Sequence, residues 1–196
     1  MSIVSLLNAL PGAVAQGLIW GIMAIGVYIT FRILDIADLT VDGTLCTGGA
    51  VCIMMMQSGH NVWVSLLVAL IAGLLAGMVT GLLHTFMGIP AILAGILTQL
   101  GLYSVNLKIM GKSNQAINVD KFDLLVSLRY IKNVPIYRNT ILLVAVIIVV
   151  LIAFLYWFFG TELGCSLRAT GCNDRMSRAQ GINTDFNRVL GLMISN

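Results

Sequence analysis

Long uncharged apolar runs, broken by short polar interruptions, make up almost the whole chain. No Asp, Glu, Lys or Arg occurs from Gly43 to Leu107, and Ile141 to Phe159 is again uncharged and almost wholly aliphatic and aromatic. The pattern resolves into five apolar segments, about 12–31, 39–57, 62–87, 90–106 and 141–159. Roughly 20 apolar residues in a helix cross a hydrocarbon core about 30 Å thick, so each segment is expected to be a membrane span. The second is shorter than the first and rich in Gly and Thr. After Arg188, Val-Leu-Gly-Leu-Met-Ile begins a sixth apolar run that stops at Asn196. The expected fold is all-α: a polytopic transmembrane helical bundle of five spans plus the start of a sixth, forming one domain over residues 1–196. The interrupted sixth run leads us to expect an N-terminal piece of a longer protein rather than an interfacial stub. The first segment does not read as a cleaved signal, because it lacks a basic leader and its apolar run is too long.

Composition confirms the class. Hydrophobic residues make up 59% of the chain and charged residues 10%, against about 25% charged in a soluble domain, and mean hydropathy is +0.97. A soluble fold of this composition would expose large apolar patches. The net charge of +3 is too small to suggest a nucleic-acid partner. Cys46, Cys52, Cys165 and Cys172 show no Cys-x-x-Cys spacing, so neither a disulfide framework nor a zinc site is supported. They are expected to be small packing residues. Gly111-Lys112-Ser113 superficially matches the end of a phosphate-binding loop, but Asn106 stands where that pattern needs glycine, and the run follows an apolar helix rather than a strand. With no Walker motif, no Ser/His/Asp set and no metal-ligand cluster, the chain is expected to be neither an enzyme nor the holder of a metal or cofactor.

Glycines recur at helix-packing intervals. Gly17 and Gly21 form one Gly-x-x-x-Gly step, and Gly73, Gly77 and Gly81 form two more. Such ladders let helix backbones approach closely in lipid, either within the chain's own bundle or between two copies. Between the first two segments lies Arg32-Ile-Leu-Asp-Ile-Ala-Asp-Leu-Thr-Val-Asp-Gly-Thr44. Asp38 suits an N-cap, and Asp38 and Asp42 would share a face if the turn is helical. Two readings fit these acids: capping at a water interface, or, with Thr40 and Thr44, lining a solute path at the mouth of a broken helix. His84 ends the third segment and fits either an interfacial position or a proton relay.

The polar stretch 160–188 could not live in lipid. Gly171 is expected to break a helix starting near Leu163. Asn173 suits an N-cap, Asp174 a first turn and Gly181 a C′ position, which predicts a short helix over 174–180. Met176, Ala179 and Gln180 would share one side of it, beside Arg175 and Arg178. Asn183 or Thr184 can cap the next helix. A two-turn helix between spans fits a groove on a cytoplasmic partner, or else rests on anionic headgroups.

The run Thr-Glu-Leu-Gly-Cys-Ser-Leu-Arg-Ala-Thr-Gly-Cys-Asn-Asp-Arg-Met-Ser-Arg-Ala-Gln-Gly-Ile-Asn resembles the cytoplasmic coupling loop of ABC importer permeases, in the family that includes branched-chain amino acid and ribose permeases. The matching positions are Gly164, Arg168, Ala169, Gly171, Asn173, Ala179, Gly181, Ile182 and Asn183. Asp38-Leu-Thr-Val-Asp-Gly43, Ala94-Gly-Ile-Leu-Thr98 and Leu102-Tyr-Ser-Val-Asn-Leu-Lys-Ile-Met-Gly-Lys112 are similar to a subgroup akin to permeases that work with tryptophan- or tyrosine-type lipoprotein receptors. The resemblance implies a permease subunit in the cell membrane, passing a small solute such as an amino acid. It also implies a second permease copy, a cytoplasmic ABC ATPase that hydrolyses ATP, and an extracytoplasmic substrate-binding lipoprotein. Arg168, Arg175, Met176, Ala179 and Gly181 would transmit the ATPase's movement. A bulky residue at Gly171 or Ala179 is then expected to uncouple transport while sparing the fold.

If the coupling loop is cytoplasmic, five spans place the N-terminus outside and Arg32 inside. They also place Lys108, Lys112, Lys121, Arg129, Lys132 and Arg138 outside, against the positive-inside tendency. Two rival readings remain: an ion-driven transporter using Asp38, Asp42 and His84, and a membrane scaffold that recruits a partner through its polar loop.

Overall fold

The computed structural model describes the backbone of residues 3–114 and 140–196 and the side chains of residues 10–114 and 141–196. Lys121, Arg129, Lys132 and Arg138, four of the six residues in the positive-inside conflict, lie outside the described residues. Among those described, every regular element is helical. The chain is a polytopic all-α bundle.

Helix α1 (Ile3–Tyr28) continues into a π-helical turn (Ile29–Ile33). Then follow α2 (Val41–Gln57), α3 (Val62–Thr85), α4 (Ala91–Met110) and α5 (Thr140–Phe159). The polar stretch holds α6 (Glu162–Cys172) and α7 (Asp174–Ala179), and α8 (Thr184–Ser195) ends the chain as given. Four helices among the described residues are long and apolar enough to cross a membrane: those containing 10–33, 62–85, 91–110 and 141–159. The expected second span is different. With 17 residues, α2 rises only about 25 Å, and it begins inside the bundle rather than at its end.

The interior reverses the order familiar from soluble proteins. Trp63, Leu67, Leu100 and Trp157 each stand more than 60% exposed, whereas Thr30, Thr40, Thr44, Thr47, Ser65, Thr80 and Thr98 are buried. In lipid no hydrophobic force drives helices together, so their interfaces select small residues and internal hydrogen bonds. Most of these hydroxyls satisfy themselves on the preceding turn, as Thr47 does on the Gly43 carbonyl at 2.9 Å and Thr98 on Ala94 at 3.0 Å.

Helix α8 is the element around which the rest closes. It runs antiparallel to α3 along the glycine ladder. A β-carbon at Gly81 would lie 2.9 Å from Val189 Cα, one at Gly77 would meet the Leu192 carbonyl and lie 2.9 Å from Met193 Cα, and one at Gly73 would lie 2.7 Å from the Asn196 carbonyl. From α1, Gly26 faces the Ser195 carbonyl, and Gly191 receives the Leu34 side chain. Gly17 and Gly21 have no such neighbour among the described residues, so the two ladders differ in what they do. An apolar cluster of Ile29, Leu34, Ile36, Leu167 and Leu192 fills the end of the bundle beneath α6 and α8.

Candidate functional site

Helix α7 is cut at both ends by side-chain and backbone chemistry that the local sequence specifies. The Asn173 side chain accepts from the Met176 amide at 3.1 Å. At the other end Gly181 takes φ +85°, with Ile182 N–H donating to Ser177 O and Gly181 N–H to Arg178 O, both at 3.0 Å. These are the two bonds of a Schellman stop, which a left-handed glycine permits. Two residues later Asn183 caps α8, accepting from Phe186 N at 3.1 Å. Arg178 locks α7 to α8: it donates to Thr184 Oγ1 at 2.7 Å and to Asp185 Oδ1 at 2.6 Å. Asp174 adds ion pairs to Arg178 at 3.5 Å and to Arg188 at 3.3 Å. Arg178 is held against α8 while still half exposed, and Arg175, Met176, Ala179 and Gln180 are exposed beside it.

Gly171 corrects the sequence reading. Helix α6 runs straight through it to Cys172, so it breaks no helix. A β-carbon there would strike the Ile33 carbonyl and lie 2.9 Å from Leu34 Cα. The glycine is where α6 presses on the end of the π-helical turn. Gly164 works similarly, since a β-carbon would meet Phe158 O and Phe159 Cα in the tight α5–α6 corner; the N-cap there is Thr161, which accepts from Gly164 N at 3.4 Å. Arg168 and Ala169 lie on α6, and Arg168 is not part of the α7 face. It lines a groove between α1 and α5 instead.

A second polar constellation lies inside the bundle. Residues after Ile33 leave the helix and turn back inward, so that Asp38 is only 5% exposed. Its Oδ1 accepts from the Thr40 amide at 2.9 Å and from the Thr40 hydroxyl. Its Oδ2 accepts from Asn196 Nδ2 at 2.8 Å, and Asn196 Oδ1 accepts from Thr44 Oγ1 at 2.8 Å. Thr80 on α3 approaches Thr40 at 3.4 Å. Asp38 is therefore not the N-cap, which is Thr40. Nor do the two acids share a face, because Asp42 is exposed on α2 while Asp38 precedes it. Asn196 and Thr80 were not singled out from sequence; the only signal was Thr80's place between Gly77 and Gly81.

His84 donates from Nδ1 to the Ile89 carbonyl at 2.8 Å. It lines a polar cavity of about 340 Å³ with Asp35, Thr170, Asp174 and Arg188, so carboxylates that are distant in sequence are brought beside it. Asp38, Asp42 and His84 thus occupy three separate surroundings rather than one ion site. All four cysteines are free, and Cys46, Cys165 and Cys172 are exposed, against the expectation that they pack inside. No group of three His, Cys, Asp or Glu side chains among the described residues could hold a metal.

Residues 10–196 match the family described as the branched-chain amino acid transport system / permease component. The chain belongs to that family. It is 37% identical over 190 residues to a tyrosine transport system permease protein of Clostridioides difficile (strain R20291), covering 97% of the chain and 61% of that protein. It is 38% identical over 192 residues to an uncharacterized protein of Rickettsia prowazekii (strain Madrid E), covering 97% of the chain and 64% of that protein. The chain thus spans somewhat under two thirds of the length of these relatives. No solved structure gives a significant match.

Proposed function

We propose that the chain acts as a permease subunit of an ATP-binding-cassette importer, carrying an amino acid or related small solute across the cell membrane. Family membership and the tyrosine permease relative support the class. The observation that carries the mechanism is the continuity from α7 to Asp38. Helix α7 presents Arg175, Met176 and Ala179 outward, is pinned to α8 through Arg178, and α8 reaches the buried Asp38–Thr40–Thr44 cluster through Asn196. A cytoplasmic ATPase that grips α7 moves α8 with it. Because α8 is seated on backbone along the α3 ladder, that movement tilts α3 and shifts the inward-turned segment beside Asp38. Alternating access then follows from rigid-body rocking around a fixed polar site. An extracytoplasmic lipoprotein delivers the solute, and a second permease copy completes the path. ATP hydrolysis belongs to the partner.

Ala179→Trp tests this reading. Ala179 is exposed on α7, so the variant is expected to keep its helicity and its monodisperse elution. Uptake into vesicles, and copurification of the ATPase, should each fall at least about tenfold, the factor that corresponds to 1.4 kcal/mol of lost docking. Wild-type uptake in this variant would sink the coupling assignment.

Asp38→Ala is expected to stop uptake while leaving ATPase docking unchanged, because it strips partners from Thr40 N–H and Asn196 inside the bundle. Leaving buried donors unmade costs about 1–3 kcal/mol. Asp38→Asn, which keeps the shape and one acceptor, should recover part of the stability without the uptake. Full transport by both variants would remove the cluster from the solute path.

A further inference from the structure

The groove beside Arg168 is a better candidate for a ligand site than for part of the ATPase contact. It has a volume of about 630 Å³ and lies between α1 and α5, floored by Ile25, Ile29, Ile152, Leu155 and Phe159. Its long wall runs from Ile25 to Ile33, which at helical rise is about 12 Å; one leaflet of a hydrocarbon core about 30 Å thick measures about 15 Å. At its rim stand Tyr28, 60% exposed, Tyr156, 85% exposed, and the Arg168 guanidinium. Arg168 donates to Cys165 Sγ at 3.3 Å and pairs with no carboxylate among the described residues. Arg32, next to groove-lining Ile33, is a second exposed guanidinium at this end. Tyrosines and arginine around an apolar slot place its mouth at headgroup level, where aromatic rings and cations anchor.

We infer that this groove binds an anionic phospholipid of the leaflet on the α7 side, with one acyl chain along Ile25–Ile33 and the phosphate on Arg168. Charge decides the occupant. A purely apolar slot would accept any tail, whereas a guanidinium at its mouth with no carboxylate partner among the described residues favours a headgroup with net negative charge, through charge-assisted bonds to phosphate oxygens. The site goes beyond the transport reading, and its test involves neither an ATPase nor a solute.

The test uses the full chain equilibrated in mixed micelles containing equal phosphatidylglycerol and phosphatidylcholine, read by native mass spectrometry. Wild type is expected to retain phosphatidylglycerol in preference. Arg168→Ala should reduce that preference about fivefold, the factor that one basic side chain near an anionic surface supplies, and Arg168→Lys should keep most of it. Ile152→Trp, which fills the slot, should lower retention of both lipids. Circular dichroism and elution volume separate these outcomes from misfolding, and Arg168→Lys serves as the readout if the alanine variant does not fold. An unchanged lipid preference in Arg168→Ala overturns the proposal. So does a lipid-free dimer that Ile152→Trp dissociates, because a second copy would then own the groove.

Discussion

A Gly171→Leu chain is expected to lose the folded form of its loop end, and not merely its coupling to a partner. The glycine's would-be β-carbon points at backbone, the Ile33 carbonyl and the Leu34 Cα at 2.9 Å. Overpacking against flexible side chains costs about 1–3 kcal/mol, because rotamers can yield. Here the obstacle is main chain already bonded into the π-helical turn, with Leu34 N–H donating to Ile29 O at 3.1 Å and Ile36 N–H to Thr30 O at 3.0 Å. The cost should therefore sit at the upper end, about 3 kcal/mol, or roughly 6–12 °C in Tm for a chain of this size. Thermal unfolding in detergent measures it. A Gly171→Leu protein as stable as wild type but inactive would restore the view of this glycine as a coupling residue. The contrast with Ala179→Trp separates a residue that holds the loop up from one that meets a partner.

The second large effect is expected at Gly77. A Gly77→Val side chain would enter the Leu192 carbonyl and the Met193 backbone at the middle of the α3–α8 contact. Helix α8 carries the Asn196 link to Asp38 at 2.8 Å, so lifting it should break the buried cluster as well as the packing. We expect about 3 kcal/mol of destabilisation and complete loss of uptake. Gly17→Val supplies the control. Gly17 has no neighbour within 4 Å among the described residues, so stability should change by less than about 0.5 kcal/mol. If Gly17→Val instead abolishes assembly with a second copy, that ladder serves an interface between chains, and the two glycine series divide the work. Equal, small effects at both positions would mean that α8 is not held by the α3 ladder.

Sequence alone determined the parts of this protein whose causes are local. Nearly uninterrupted apolar runs can be only membrane helices or buried ones, and four of the five expected spans are long and apolar enough to cross. Asn173, Gly181 and Asn183 cap and stop α7 and α8 because capping bonds join residues two to five apart, so the boundaries of α7 are readable within a residue. Arg175, Met176 and Ala179, spaced along one short helix, are exposed together. Gly171 was misread because a glycine's local meaning, a helix stop, and its tertiary meaning, a close approach, leave the same letter in the sequence. Only the tertiary structure decided the latter, along with the separation of Asp38 from Asp42, since Asp38 precedes a helix whose start packs against α3 and α4. It also decided which ladder is occupied, set Arg168 on the groove between α1 and α5, and brought Asn196 across the chain to Asp38. Those contacts join residues up to 158 positions apart. In lipid they are selected by close backbone approach and buried hydrogen bonds; the glycine ladder marks the first along the chain without naming its partner, and the second leaves no periodic trace.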